Sequence, residues 1–163
     1  MQVLERDAGP PKVFRGENPP LLHANIAAFE RLLAHDRRAR IVLANFGEDP
    51  TGQFSLALAR RLLAAHPNLY LIVTPLPVRD GESFETSPFN TGGNLRREWL
   101  QLVADFPDRF PLGSLSFHAA APNGQRRAAP DAVGPARKLI AALPADLRHR
   151  LTVDTALALY GLR

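Results

Sequence analysis

The apolar positions of this chain predict strands and helices in alternation. Short continuous apolar runs between polar turns are typical of strands buried on both faces, whereas apolar residues every three or four positions are typical of amphipathic helices. Four runs of the first kind occur, at Lys12–Arg15, Arg40–Asn45, Leu69–Thr74 and Arg109–Gly113. The fourth is a weaker strand candidate because it contains Pro111, which has no backbone N–H for a sheet.

A helical pattern follows each of these runs. The predicted helices span about Asn25 to His35, the stretch after GEDPTGQ up to about His66, Arg97 to Asp105, Ala132 to Leu143, and a closing helix near Thr155 to Leu159. Four strand–helix units with fully apolar strands indicate an α/β fold in which a parallel sheet is covered by helices. A length of 163 residues suits one domain spanning residues 1–163.

The loops differ in length at the two ends of the predicted sheet. Turns from helix to strand are short, whereas the loops from strand to helix are long, notably Pro75 to Asn94 and Ser114 to Pro130. In α/β folds ligands bind beyond the carboxyl ends of the strands, so a site is expected on that side. The loop from Pro75 to Asn94 is interpreted either as a lid over a pocket or as a disordered insertion.

Charge and composition exclude several classes of function. The formal net charge of +4 comes almost entirely from arginines in scattered pairs, such as Arg37-Arg38 and Arg60-Arg61, which is typical of solvated helix ends rather than a nucleic-acid surface. There is no cysteine, which excludes disulfides and thiolate metal sites. The chain has neither a signal-peptide pattern nor an 18-residue apolar run. We therefore expect a soluble, cytoplasmic protein without nucleic-acid or membrane partners.

Four segments, in this order, carry a resemblance to a known family. A strand ends before a glycine in RIVLANFG, a helix closes on HPNLY, PDRF is followed two residues later by Gly-Ser, and the chain closes on LTVDTALALYGL. Together they resemble the carboxyl-terminal portion of the amidohydrolase-related family of metal-dependent hydrolases. The resemblance implies a (β/α)8 TIM-like barrel, which takes about 250 residues. This chain is accordingly expected to form a half barrel of four β/α units.

The resemblance also implies where a metal site would lie. Members of the family bind a divalent metal such as zinc through a His-x-His pair on the first strand, histidines near the ends of the fifth and sixth strands, and an aspartate after the eighth. Such ligands converge within about 2.2 Å of the ion and activate a water molecule. This chain contains no His-x-His. We therefore expect no metal, no other cofactor and no catalytic residue.

The family's pattern maps onto this chain with substitutions. Asn45 stands where the sixth-strand histidine is usual, and Leu115 replaces the aspartate in Gly113-Ser114-Leu115, so that no carboxylate remains there to accept a proton. Arg15 and Glu17 are matched less directly to the fifth strand. The pocket candidates at the former site positions, on the side where ligands would bind, are Arg15, Glu17, Asn45, Ser114, Leu115 and His118.

Other interpretations of these residues remain open from the sequence. Asn45 either contacts a ligand or satisfies buried backbone groups at the end of its strand. His35 and His66 are predicted at helix carboxyl ends, where a histidine interacts with the last carbonyls and the negative end of the helix dipole rather than with a metal.

Three hypotheses follow for function. The first is a truncated or degenerate family member, a pseudoenzyme without hydrolase activity of its own, whose open sheet favours a homodimer completing an eight-stranded barrel. The second is an active hydrolase of C–N, C–O or C–C bonds, completed by a missing amino-terminal half or by a complementary half-barrel chain. The third is a module that binds a small organic acid through arginines such as Arg15. An open doubly wound sheet is the alternative fold, although no phosphate-binding glycine motif supports nucleotide binding.

Overall fold

The computed structural model describes residues 19–47, 54–75, 85–113 and 133–162. Their regular elements, in chain order, are α1 (Pro19–His35), β1 (Ile41–Phe46), α2 (Leu56–Ala65), β2 (Leu69–Val73), α3 (Arg97–Asp105), α4 (Val133–Ala142), α5 (Ala145–His149), a π-helical turn (Arg150–Asp154) and α6 (Thr155–Tyr160). None of these helices is both long and apolar enough to cross a lipid bilayer.

Two regular strands and one irregular segment form a parallel sheet. β1 pairs with β2 in parallel, with Ile41 opposite Leu69. Residues 109–113, hereafter the third strand segment, lie along the other side of β2. There Val73 N–H donates to the carbonyl of Pro111 at 3.0 Å, and Gly113 N–H donates to the carbonyl of Val73 at 2.8 Å. Three of the four predicted strands are therefore adjacent, while the predicted strand at Lys12–Arg15 lies outside the described residues.

Pro111 explains why the third strand segment is irregular. A proline has no N–H that could donate to a carbonyl of β2, so one hydrogen bond of the parallel ladder cannot form. The regular pairing with β2 is therefore limited to one bridge, between Val73 and Leu112. The side chain of Arg109 adds contacts beside this gap. Its Nη1 donates to the carbonyl of Leu69 at 3.1 Å, and its guanidinium lies 5.3 Å from the centre of the Tyr70 ring.

The hydrophobic core lies on the helix-covered face of the sheet. From β2, Leu69, Leu71 and Val73 are fully buried and belong to one cluster with buried side chains of α2 and α3, which are Ala59, Leu62, Leu63, Trp99, Leu102 and Val103. Tyr70 and Ile72 alternate with them and are only partly buried. The expectation of strands buried on both faces is thus met on one face of β2 and only partly on the other.

The helices agree with the apolar pattern except near the carboxyl end. α3 has the predicted bounds, and α1 begins earlier than predicted, at Pro19, because a proline fits the first helical turn without loss of a hydrogen bond. The sequence pattern did not delimit α5 or the π-helical turn. These two elements run without a break into α6, and we call residues 145–160 the closing helical run.

The closing helical run is tied to both outer strands of the sheet. Near its middle, the carbonyl of Leu151 accepts from the N–H of Leu112, in the third strand segment, at 2.9 Å. At its end, Arg40, just before β1, donates through Nη1 to the carbonyl of Leu159 at 2.9 Å and also to that of Ala158. Because an arginine at a helix carboxyl end satisfies orphan carbonyls, Arg40 joins the start of β1 to the end of α6.

Candidate functional site

The carboxyl ends of β1 and β2 meet closely, and this side of the sheet is where a ligand is expected. Thr74 N–H donates to the carbonyl of Phe46 at 3.0 Å, which joins the two strand ends. Gly47 follows β1 with a φ of +112°, and a Cβ placed on it would lie 3.3 Å from the carbonyl oxygen of Thr74. Backbone geometry therefore explains the glycine after this strand, because a larger residue at this position would be both strained and crowded.

Hydroxyl groups dominate the described polar side chains at these strand ends. Thr74, Thr86 and Ser87 are all buried, and the Oγ of Ser87 accepts from the N–H of Phe89 at 3.3 Å. Thr86 is 1% exposed, and its Oγ1 has no hydrogen-bond partner among the residues that the structure describes. The backbone of Thr86 adjoins the strand end, since its carbonyl lies 3.7 Å from the Cβ position of Gly47. Hydroxyls can orient a polar ligand, but they are not the usual ligands of zinc.

The later part of the long loop after β2 is folded and packed. Phe89 and Leu95 form an antiparallel bridge, and Asn90 N–H donates to the carbonyl of Asn94 at 3.0 Å. From α4, the ammonium of Lys138 lies 4.8 Å from the centre of the Phe89 ring, which is a cation–π contact. Residues 85–94 are therefore folded, whereas the interpretation of the whole loop as a lid stays a prediction. Residues 76–84 of the same loop lie outside the described residues.

Glu85, an acidic residue of this loop, caps the start of α2. Its Oε1 accepts from the backbone N–H of Leu56 at 2.9 Å, and the Oγ of Ser55 accepts from the N–H of Leu58 at 3.1 Å. Two of the four N–H groups that a helix leaves unpaired at its start are thus satisfied by side chains. In this arrangement the carboxylate of Glu85 stabilises a helix end.

An open cleft lies between the first turns of α2 and α3. The charged side chains along it carry both signs and are Arg60, Glu85, Arg96, Arg97 and Glu98. Arg60 forms an ion pair with Asp105, and its hydrogen bond is the main reason why the pKa of the Asp105 carboxyl lies below its usual range. Since the remaining charges are mixed and largely exposed, the cleft does not present a concentrated charge to a ligand.

The predicted pocket residues fall mostly outside the described part of the chain. Arg15, Glu17, Ser114, Leu115 and His118 all belong to ranges that the structure does not describe. Asn45 is the next-to-last residue of β1, two residues before Gly47, and so lies near the end of the strand, as the resemblance implies. Only the backbone of Asn45 is described. Their placement around one pocket stays a prediction.

His66 has a structural role at the end of a helix. His66 is the residue after α2, as predicted, and its N–H donates to the carbonyl of Leu62 at 2.9 Å. Its buried ring lies 3.4 Å from Glu30, which also accepts a hydrogen bond of 2.7 Å from Arg61. The Arg61 hydrogen bond, with a smaller effect of His66, holds the pKa of the Glu30 carboxyl below its usual range. Within the described ranges, no three histidine or carboxylate side chains lie close enough together to bind a metal ion.

The segments HPNLY and PDRF have structural roles that the sequence did not reveal. The Nδ2 of Asn68 donates to the carbonyls of Leu33, Asp36 and Ala39 at 3.0 to 3.2 Å, closing the end of α1 and the turn into β1. In PDRF, Asp108 forms an ion pair of 2.8 Å with Arg150. The clearest sequence signal for Asn68 is its position in a short turn between a helix and a buried strand.

Gly113 and Phe110 likewise position the third strand segment. Phe110 is fully buried in the core cluster, and a Cβ at Gly113 would collide with the side chain of Ile72 in β2. The described parts of the segments behind the resemblance therefore consist largely of packing, capping and turn residues. They identify a fold and not a chemical reaction.

Comparison with known proteins supports the fold. No protein-family model and no curated protein sequence matches this chain. Among solved structures, the chain is similar to dihydroorotase from Campylobacter jejuni, with a TM-score of 0.51 and 17% sequence identity. The likeness covers 86% of this chain and 43% of the dihydroorotase chain, so this chain spans less than half of that length. Its parallel strands and surrounding helices are compatible with part of a TIM-like barrel.

Proposed function

We propose that this protein is a degenerate member of the amidohydrolase type, which keeps part of the barrel but has no hydrolase activity of its own. One observation carries the proposal. Asn45, next to last in β1, stands where the resemblance places a metal-binding histidine. A metal-dependent hydrolase needs imidazoles and carboxylates at such strand ends, because a divalent ion must be held and must lower the pKa of a bound water molecule.

The fold comparison supports the amidohydrolase part of the proposal. Dihydroorotase belongs to the amidohydrolase superfamily of TIM-barrel enzymes, and its fold is the one to which this chain is similar. The sequence supports the loss of the metal site at two positions that the resemblance matches to the family's ligands. In the proposed site, the amide of Asn45 and the isobutyl group of Leu115 stand where a histidine and an aspartate would bind the ion. Neither group can replace its counterpart, because an amide is a weak zinc ligand and an alkyl group is none.

Metal content and hydrolysis, measured together, test this proposal. The full chain is incubated with zinc or manganese, dialysed and analysed for bound metal, and then assayed against a panel of esters and amides with and without a chelator. We expect far less than one ion per chain and no hydrolysis that the chelator abolishes. Near-stoichiometric metal with chelator-sensitive hydrolysis by the wild-type chain would overturn the proposal.

A restored variant sharpens the same test. The double substitution Asn45→His and Leu115→Asp returns two of the proposed ligands but leaves the His-x-His pair absent. We expect this variant to bind zinc more tightly than wild type and still to lack hydrolysis, because too few ligands converge to fix the ion in a catalytic geometry. Zinc affinity equal to that of wild type would show that positions 45 and 115 do not face one site.

A second candidate function is the binding of a small organic acid without turnover. The observation that favours it is the buried Thr86 hydroxyl, which lacks a hydrogen-bond partner among the described residues; the backbone carbonyl of Thr86 lies 3.7 Å from the Cβ position of Gly47, after β1. An unsatisfied buried donor is costly, and a ligand oxygen would satisfy it. Calorimetry with a panel of carboxylates tests the idea: we expect saturable binding that Thr86→Val weakens at least tenfold. The absence of saturable binding would exclude this function.

A further inference from the structure

The π-helical turn of the closing helical run is bonded to the sheet through one of its carbonyls. Thr155 N–H donates to the carbonyl of Arg150, five residues earlier. The carbonyl of Leu151 accepts instead from the N–H of Leu112, in the third strand segment, at 2.9 Å. A π-helical turn inside an α-helix is frequently found at a functional position. The Leu151 carbonyl has two candidate donors, one in the sheet and one in its own helix.

Two ion pairs flank the π-helical turn. Nε2 of His149 lies 3.2 Å from a carboxylate oxygen of Asp154, and Nη1 of Arg150 lies 2.8 Å from one of Asp108, beside the third strand segment. His149 and Asp154 are five residues apart, a spacing that makes residues neighbours across an i→i+5 turn. In an α-helix, residues five apart are separated by about 140° around the axis. The pair of His149 and Asp154 therefore fits the π-helical turn and not an α-helical one.

We propose that the π-helical turn is a pH-sensitive latch on the sheet edge, and that its closed register is favoured when His149 is protonated and paired with Asp154. In the closed register the Leu151 carbonyl accepts from Leu112. In the open register Thr155 N–H donates to the Leu151 carbonyl, as in an α-helix, and the π-helical turn moves by one residue towards the end of the run. The N–H of Leu112 then loses its acceptor.

The direction of the pH effect follows from the charges. A histidine ring gains a proton as the pH falls between about 8 and 5, and a protonated His149 attracts the carboxylate of Asp154. A neutral ring has no charge to offer this carboxylate, so the closed register loses stabilisation as the pH rises. The other charged side chains on or beside this part of the run are Asp108, Asp146, Arg148 and Arg150. Carboxylates and guanidinium groups keep their charge between about pH 5.5 and 8, so the imidazole supplies the change.

The latch acts at a strand end that leads to the predicted pocket. Leu112 precedes Gly113, whose N–H donates to the carbonyl of Val73 at 2.8 Å, and Ser114 and Leu115 follow. Release of Leu112 leaves this strand end held from β2 alone. The latch thus makes the firmness of the strand end depend on pH. It does not depend on the proposed loss of hydrolase activity, because no metal or substrate takes part.

The expected amplitude is small because both partners of the pair are largely exposed. The side chains of His149 and Asp154 are 69% and 50% exposed. Solvent screens such a pair, and it stabilises the register that contains it only weakly. We expect the ratio of closed to open register to fall about threefold between pH 5.5 and pH 8.

Hydrogen exchange of the full chain, followed by nuclear magnetic resonance, tests the latch. Rates at pH 5.5 and pH 8, corrected for the pH dependence of unprotected amides, give the protection of Leu112. Thr74, whose N–H is bonded to the carbonyl of Phe46 between β1 and β2, is the internal reference for opening of the whole sheet. We expect the protection of Leu112 relative to Thr74 to fall about threefold in the wild-type chain.

Two histidine variants assign the pH effect. In His149→Gln the protection of Leu112 relative to Thr74 should no longer change with pH. His35→Gln is the matched control, because His35 is an exposed histidine at the end of α1, away from the closing helical run. It should keep the wild-type pH dependence. A pH-independent ratio in the wild-type chain would overturn the proposal, as would equal loss of pH dependence in both variants.

A deletion separates the π-helical turn from the ion pair. Val153 is partly exposed, and its removal shortens the turn by one residue. Arg150 and Thr155 are then four residues apart, the spacing of an α-helical hydrogen bond, so α6 keeps its orientation. His149 and Asp154 also become four apart and remain neighbours on one helix face. The ion pair is thus retained while the π-helical turn is lost.

In the deletion variant the Leu151 carbonyl is four residues before Ala156 and pairs with its N–H within the helix. We expect the protection of Leu112 relative to Thr74 to fall at least tenfold at both pH values, with no dependence on pH. Wild-type protection of Leu112 in a folded deletion variant would show that the π-helical turn does not free the carbonyl, and the proposal would fail. Circular dichroism verifies folding, and the comparison of His149→Gln with His35→Gln does not depend on this variant.

Discussion

The backbone N–H of Leu112 donates a hydrogen bond of 2.9 Å to the carbonyl oxygen of Leu151, 39 residues later. The π-helical turn makes this bond possible. Thr155 N–H donates to the carbonyl of Arg150 and not to that of Leu151, so the wider turn releases the Leu151 oxygen from the pairing of an α-helix. Along a strand, N–H groups alternate between the two edges, and the N–H of Leu112 points away from β2. The released carbonyl therefore covers an edge position that would otherwise be open.

Hydrogen exchange of the Leu112 amide tests this bond. We expect it to exchange nearly as slowly as the amide of Val73, which is bonded within the sheet, because both N–H groups are held by backbone carbonyls. Nuclear magnetic resonance of the full chain after transfer to heavy water measures both rates. Exchange of Leu112 at the rate of an unprotected peptide would show that the helix does not cover this edge.

Replacing Asn68 should destabilise the protein although it touches no predicted site. Its Nδ2 lies within hydrogen-bonding distance of the carbonyls of Leu33, Asp36 and Ala39, and Asn68→Ala removes these three contacts, although the Asp36 carbonyl keeps the N–H of Ala39. We expect a loss of about 2 kcal/mol in the free energy of unfolding, measured with urea. The control is Asn94→Ala on the exposed turn, which should change stability by less than about 0.5 kcal/mol. Equal effects of the two substitutions would contradict the structural role of HPNLY.

Two glycines allow backbone strain to be separated from crowding. Gly47 and Gly161 both have positive φ angles, +112° and +66°, but only Gly47 faces close backbone atoms. We expect Gly161→Ala to cost about 1 kcal/mol for its left-handed conformation alone. Gly47→Ala should cost about 2 to 3 kcal/mol, because strain and contact with the carbonyl of Thr74 add. Urea unfolding of both variants measures the difference, and a smaller cost at Gly47 would refute the close approach of the strand ends.

Acid should remove the contribution of the Glu30 ion pair. The hydrogen bond from Arg61 lowers the pKa of Glu30 in the folded chain, so the unfolded chain takes up a proton more readily. The resulting stabilisation is complete above the ordinary carboxyl range and disappears as the pH falls through the lowered folded pKa. We expect Glu30→Gln to be less stable than wild type at pH 6 by under about 1 kcal/mol. The difference in stability between the two proteins should disappear towards about pH 3.

Salt supplies the control for this prediction. Because the Glu30 and Arg61 side chains are partly exposed, about 1 M sodium chloride should also narrow the gap between wild type and Glu30→Gln at pH 6. Thermal or urea unfolding at the two pH values, with and without salt, provides the measurements. If the difference in free energy of unfolding between wild type and Glu30→Gln depends on neither pH nor salt, the substitution acts through packing and not through charge.

The fold followed from the sequence wherever the signal was local. Apolar runs placed β1, β2 and the third strand segment, and the periodicity of Trp99, Leu102 and Val103 gave the bounds of α3. The closing helical run was harder, because apolar residues on two of its faces weaken the single periodicity on which a helix prediction depends. No local sequence pattern predicts the π-helical turn, because this turn accompanies a hydrogen bond between Leu151 and Leu112, which lies far away in the chain.

The candidate site was predicted from a resemblance and stays a prediction; Asn45 lies near the end of β1, and only its backbone is described. The other proposed pocket residues, Arg15, Glu17, Ser114, Leu115 and His118, lie outside the described residues. The structure added Thr86, whose backbone carbonyl lies near Gly47 and whose hydroxyl is buried, a relation that no spacing in the sequence could reveal.

By itself, the sequence determined the alternation of strands and helices, the absence of a His-x-His pair and the absence of thiol ligands, because these depend on residue types and their periods. Tertiary structure decided which carbonyls Asn68 closes, why Gly47 and Gly113 must be glycines, and which edge the closing helical run covers. Those features depend on distances between residues far apart in the chain, and such distances are fixed only when the sheet and its helices pack together.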